Sequence, residues 1–121
     1  MKKVPDATFE HIFPAMLQAP SSSKVHLDEE THAALERLIA VALNGTGQSP
    51  HVADLLLAWW SASENGGFDP MSFRRIDDAL VTDCLRLLAW IGRNDCYPDS
   101  VGYGDDFKMI WRMWRSEKSI A

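Results

Sequence analysis

Ser49-Pro50-His51-Val52-Ala53-Asp54-Leu55-Leu56-Leu57-Ala58-Trp59-Trp60, closed by Asn65-Gly66-Gly67, is the stretch whose reading decides the fold. Serine followed by proline marks a helix start, because proline's fixed φ suits the first turn and its missing N–H would have had no partner there. Val52, Leu55, Leu56 and Trp59 recur on one helical face, and the glycines stop the run. Adjacent residues on a helix diverge by about 100°. Trp59 therefore continues the core stripe, and Trp60 either caps a seam or faces a contact surface.

Upstream, Asp28 with Glu29 and Glu30 forms a second start signal, a side-chain cap followed by carboxylates at the positive end of the dipole. Leu35, Leu38, Ile39 and Ala42 supply that helix's buried stripe, and Asn44-Gly45 its left-handed end. Downstream, Gly66-Gly67-Phe68-Asp69-Pro70 reads as a tight turn with positive φ, Phe68 inward and Asp69 capping a single turn that contains Met71 and Phe73. A longer helix from near Asp77 buries Leu80, Cys84, Leu87, Leu88 and Ile91 and ends at residues 92–94. Residues 95–104, with two tyrosines, a proline and two glycines, exclude continuous helix. The last helix opens at Asp105 or Asp106, with Phe107, Ile110, Trp111 and Trp114 on one face and Lys108, Arg112 and Arg115 on another. No β-branched run alternates with polar residues, so the expected class is all-α, a small bundle of four to five helices with short, antiparallel connections.

Ahead of this helical domain, residues 25–121, residues 1–24 form an arm and linker. Phe9, Ile12, Phe13, Met16 and Leu17 follow the i, i+3, i+4, i+7, i+8 pattern of an amphipathic helix, which Pro14 kinks or ends near Phe13. Residues 18–23 are a polar strip without periodicity.

With 121 residues, 46% hydrophobic and 24% charged, the chain fits one domain that buries about two-thirds of its unfolded surface without metal or disulfide. It has no membrane-length apolar run, and Val4-Pro5-Asp6 after the opening lysines is unlike a signal peptide, so a cytoplasmic protein with no membrane partner is expected. Twelve Lys and Arg against seventeen Asp and Glu, a net charge of −5, argue against general nucleic-acid binding. Cys84 and Cys96 lack metal spacing and read as reduced thiols.

His11, His26, His32 and His51 are scattered, with no i, i+4 pair, and read as solvated side chains, so no metal and no cofactor are expected. Asp77, Asp78 and Asp83 do not share one helical face well; the first two suit a helix start. Cys96 has no identifiable base beside it, and a site assembled from Asp69, Asp99 and Tyr103 rests on residue types alone. The expectation is a protein that is not an enzyme.

Two stretches offer contact surfaces. Five tryptophans in one small chain serve either as bundle filling or as binding anchors. On the last helix, Lys108, Arg112 and Arg115 beside Trp111 and Trp114 describe either phosphate-and-base recognition or an ordinary amphipathic helix whose cations suit its dipole and pair with Asp105 and Asp106.

The strings Val52-Ala53-Asp54-Leu55-Leu56-Leu57-Ala58-Trp59-Trp60, Gly66-Gly67-Phe68-Asp69, Tyr97-Pro98-Asp99, Gly102-Tyr103-Gly104 and Trp114-Arg115 together resemble a small family of uncharacterised bacterial proteins carried on plasmids and integrative elements. The resemblance covers about residues 33–115 and leaves the arm outside. It implies a bacterial cytoplasmic setting and an accessory role on a mobile element, and brings no activity, cofactor or catalytic residue with it. The 97–104 loop then serves either to recognise a partner or to close the bundle end.

The resulting expectation is a regulatory or accessory factor acting by protein–protein contact through Phe9, Phe13, Trp60, Tyr97, Tyr103, Arg112 and Arg115. The apolar arm would dock on its own bundle, on a second copy to make a homodimer, or on the partner. Nucleic-acid binding through the basic aromatic last helix is the alternative.

Overall fold

The computed structural model describes residues 26–116, and the arm with Phe9 and Phe13 lies outside them. The described chain is all-α, without strands: α1 (Glu29–Ala42), α2 (Ser49–Asn65), α3 (Asp78–Arg93) and α4 (Gly104–Trp114), with 3-10 turns at Pro70–Arg75 and Pro98–Val101. No described helix is long and apolar enough to cross a membrane.

Asp28, Gly45 and Asp69 act as their chemistry dictates, whereas Ser49 lies one residue inside α2, behind Gln48 at the cap, and binds the preceding chain. Asp28 accepts the Thr31 N–H at 2.8 Å and the Thr31 hydroxyl at 2.9 Å, which holds its carboxyl below the usual range and fixes the start of α1. Gly45, at φ +80°, turns the chain out of α1. Ser49, fully buried in the first turn of α2, accepts the Thr46 N–H at 2.9 Å and donates to Val41 O at 2.6 Å, tying α2 to the end of α1. Asp69 accepts the Met71 N–H at 2.9 Å and opens the Pro70–Arg75 turn. Gln48 then reaches Asp77, donating to its carboxylate at 3.1 Å and accepting its backbone N–H at 2.9 Å, which locks the entry to α3.

Helix α1 is the centre of the bundle. On one side α3 runs antiparallel to it, as the pairs Glu30–Arg86 and Arg37–Asp83 require. On the other side α4 runs parallel to α1, placing Tyr103 near His32 and Trp114 near Ala42. Helix α2 is antiparallel to α4, with Trp59 and Trp60 meeting Phe107 and Asp54 meeting Arg115. Leu35, Leu38, Leu56, Leu57, Leu87, Phe107 and Ile110 fill the space between, all fully buried.

Three expectations about faces need correction. In α3, Leu88 is 38% exposed, while Asp83 and Trp90 are buried in its place. The bidentate Arg37–Asp83 pair, at 2.8 Å for both bonds, and the edge contact of Trp90 with Trp59 rotate the inner face toward 83, 87 and 90. In α4, which starts one residue early at Gly104, Trp111 is 40% exposed, because α4 beds on Phe107 and Ile110 and turns position 111 outward. His51 is half-buried rather than solvated, and its Nδ1 is shut off from solvent without a hydrogen-bond partner among the described residues.

Truncating the aromatic at the bundle centre, Phe107→Ala, is expected to cost about 3–5 kcal/mol of unfolding free energy, by lost burial and a cavity. Met71→Ala, at a side chain 60% exposed, is expected to change it by less than about 0.5 kcal/mol. Urea unfolding followed by tryptophan fluorescence measures both.

Candidate partner-binding cleft

Helix α2 does not run straight. At Ser61 the backbone is extended (φ −166°, ψ 95°), which breaks the helical path just after Trp60. Across the break, Asn65 Nδ2 donates to Leu57 O at 3.1 Å, a side-chain bond that links the two sides of the bend. Arg115, the residue that follows α4, then grips both halves of the bent helix: Nη2 meets the Asp54 carboxylate at 2.6 Å and Nε donates to Asn65 O at 3.1 Å.

Past the bend lies an open cleft of about 710 Å³ between residues 58–63 of α2 and the Pro98–Val101 turn. Trp59, Trp60 and Tyr97 supply its aromatic lining, Ser61, Ser63 and Ser100 its hydroxyls, and Asp99 its charge. Trp59 Nε1 donates to Cys96 O at 3.0 Å, fastening the loop to α2. Both tryptophans are half-buried and both meet Phe107 edge-on, with centroids 5.7 and 6.2 Å away. Pro98 is fully buried and anchors the turn, Gly102 closes it at φ +91°, and Tyr97 is left 58% exposed.

The expected contact residues therefore separate. Trp60 and Tyr97 come together in this cleft. Tyr103 is buried, its hydroxyl donating to Glu36 at 2.7 Å and lying 3.0 Å from His32 Nδ1. Arg112 is exposed on α4, whereas Arg115 is turned inward onto Asp54 and Asn65 rather than toward Asp105 and Asp106. Sequence reading missed the bend at Ser61 and the Arg115 grip, for which no local pattern exists. The i, i+4 spacing of His32 and Glu36 was a usable signal for the polar seat of Tyr103.

The groups with chemical potential hold structural positions. Asp83 is taken by Arg37, and Asp69 caps a turn away from the cleft that Asp99 lines. Burial, with Asp83 beside it, pushes the Cys84 thiol up to about 12, so it stays protonated; burial and Asp95 raise Cys96 as well. Among the described residues no group of three or more His, Cys, Asp or Glu side chains is placed to hold a metal ion.

Burial and the Glu36 carboxylate raise the Tyr103 hydroxyl above its ordinary value of 10. A folded-state pKa raised above the unfolded one gives stability that is present below the unfolded value and is lost as pH climbs from there toward the folded one. Stability is therefore expected to fall above about pH 10, and Tyr103→Phe should flatten that alkaline fall while costing about 1–2 kcal/mol at neutral pH for the lost hydrogen bonds. Urea melts across pH 7–11 measure this. Arg115→Ala is expected to cost about 1–3 kcal/mol, with a changed near-ultraviolet tryptophan signal as the bend relaxes, and Tyr97→Ala less than about 0.5 kcal/mol. Near-ultraviolet circular dichroism and unfolding of the two variants check that contrast.

Neither a curated protein nor a solved structure matches the chain. Residues 32–115, which carry α2, α3, α4, the bend and the whole cleft, match the family of unknown function DUF7673. The chain belongs to that family.

Proposed function

We propose that this protein is a non-enzymatic interaction module, a cytoplasmic accessory factor of bacterial mobile DNA, and that it receives an extended, basic segment of a partner protein in the cleft beside the α2 bend. The observation that carries this reading is Tyr97, held 58% exposed on a turn anchored by buried Pro98, across a cleft that Trp60 and the Asp99 carboxylate also line. Half-buried and exposed aromatic rings beside one carboxylate, with no cation in the lining, suit a lysine or arginine side chain through cation–π and ion-pair contact. The net charge of −5 favours the same class of partner. The lack of catalysis is supported by the structural duties of Asp83, Asp69 and Tyr103. The setting on mobile DNA rests on the motif resemblance.

One observation favours nucleic acid as a second reading. Trp111 stands 40% exposed on α4 between exposed Lys108 and Arg112. Arg115, engaged with Asp54, is subtracted from that basic face.

Selection from a random peptide display library tests the first reading. Enriched peptides are expected to carry lysine or arginine, and Tyr97→Ala and Asp99→Asn are each expected to weaken them by about tenfold or more, the signature of a binding hot spot. Absence of enrichment, or peptides indifferent to both variants, overturns it. Salt-sensitive retention on single-stranded DNA that is lost in Lys108→Glu/Arg112→Glu moves the assignment to α4.

A further inference from the structure

Helix α3 packs its inner face, Cys84 and Leu87, against α1 and turns an apolar stripe the other way. Leu85 is 53% exposed and Leu88 38% exposed, and Ala89 and Gly92 continue the stripe at i+4 and i+7 from Leu85, both exposed. Small residues at 89 and 92 leave room for another backbone to approach closely. A stripe of this spacing is what a helix presents to a neighbour, and in the described chain none lies on it.

The place where the described chain begins says what covers it. Asp28, Glu29, Glu30 and Thr31, at the start of α1, line one groove with Leu85, Arg86, Ala89 and Arg93 of α3. Residues 1–25 therefore join the described chain at the rim of this stripe. The polar strip and its continuation, residues 18–25, can span up to about 28 Å. That exceeds the roughly 24 Å length of α3. Beyond the strip stands the complementary apolar pattern, Phe9, Ile12, Phe13, Met16 and Leu17. A short tether holds such a segment near its site at an effective concentration on the order of millimolar, well above a second copy of the chain at micromolar concentration.

We propose that residues 6–17 of this same chain cover the outer face of α3, seating Phe9 and Phe13, ahead of Pro14, on Leu85, Leu88 and Ala89 and completing the bundle in cis. This surface is separate from the cleft beside the α2 bend, so either assignment stands if the other fails.

The test uses the full chain with Phe13 replaced by the photo-crosslinker p-benzoylphenylalanine, irradiated at low micromolar concentration and digested with trypsin. Expected is a cross-linked monomer in which position 13 joins the tryptic peptides 76–86 or 87–93. Leu85→Glu in the same chain is expected to abolish the cross-link while leaving the circular dichroism helical, since that side chain faces outward. A covalent dimer in place of the cross-linked monomer would assign the face to a second copy and overturn the proposal. Cross-links to residues 58–63 or 97–100, or none within the chain, would overturn it too.

Discussion

The Phe107 ring, shut off from solvent and met edge-on by Trp59 and Trp60, is the contact on which the rest of the molecule depends. Two adjacent tryptophans diverge on a helix, and both can bury a ring edge only if the facing residue lies over the gap between them. Phe107 does so because α4 runs antiparallel to α2, and that direction in turn brings Arg115 to Asp54 and Trp114 to Ala42 O at the far end of the bundle. The Pro98–Val101 turn follows from the same geometry, since Trp59 both packs on Phe107 and holds Cys96 O.

Polar groups in this bundle are spent on joining elements. The indole N–H groups of Trp59 and Trp114 each meet a backbone carbonyl, Asn65 reaches back across the bend to Leu57 O, and Arg115 bridges the two halves of α2. Such bonds are worth about 1 kcal/mol each in net terms and far more in specificity, because each would leave an unpaired carbonyl or guanidinium if the elements shifted. They make the bend in α2 a fixed feature, and a fixed bend is what keeps a cleft open beside otherwise close-packed helices.

The surface divides by chemistry. The cleft carries aromatic rings and a carboxylate, the outer side of α4 carries Trp111 between Lys108 and Arg112, and the outer side of α3 is an apolar stripe flanked by Arg86 and Arg93. Three faces with three different compositions on one small domain favour different occupants, and only the α3 face adjoins the point where residues 1–25 join the bundle.

By itself the sequence determined the helices and their ends. Asp28, Asp69 and the glycines at 45, 66 and 102 act within a few residues of themselves, and periodic apolar residues report burial without reference to any partner. It also singled out Trp60 and Tyr97, since large aromatic residues in and beside turns are visible as composition. Only the tertiary structure decided which way each helix faces and which charges are free. Leu88 and Trp111 belong to apolar patterns yet point outward, and Arg115 belongs to a basic pattern yet points inward, because Arg37 holds Asp83, Trp59 and Trp60 hold Phe107, and Asp54 and Asn65 hold Arg115, each from a distant part of the chain. The bend at Ser61 is of the same kind: its brace is Arg115, fifty residues beyond the Asn65 carbonyl it holds. No local rule encodes a bond between residues that only folding brings together.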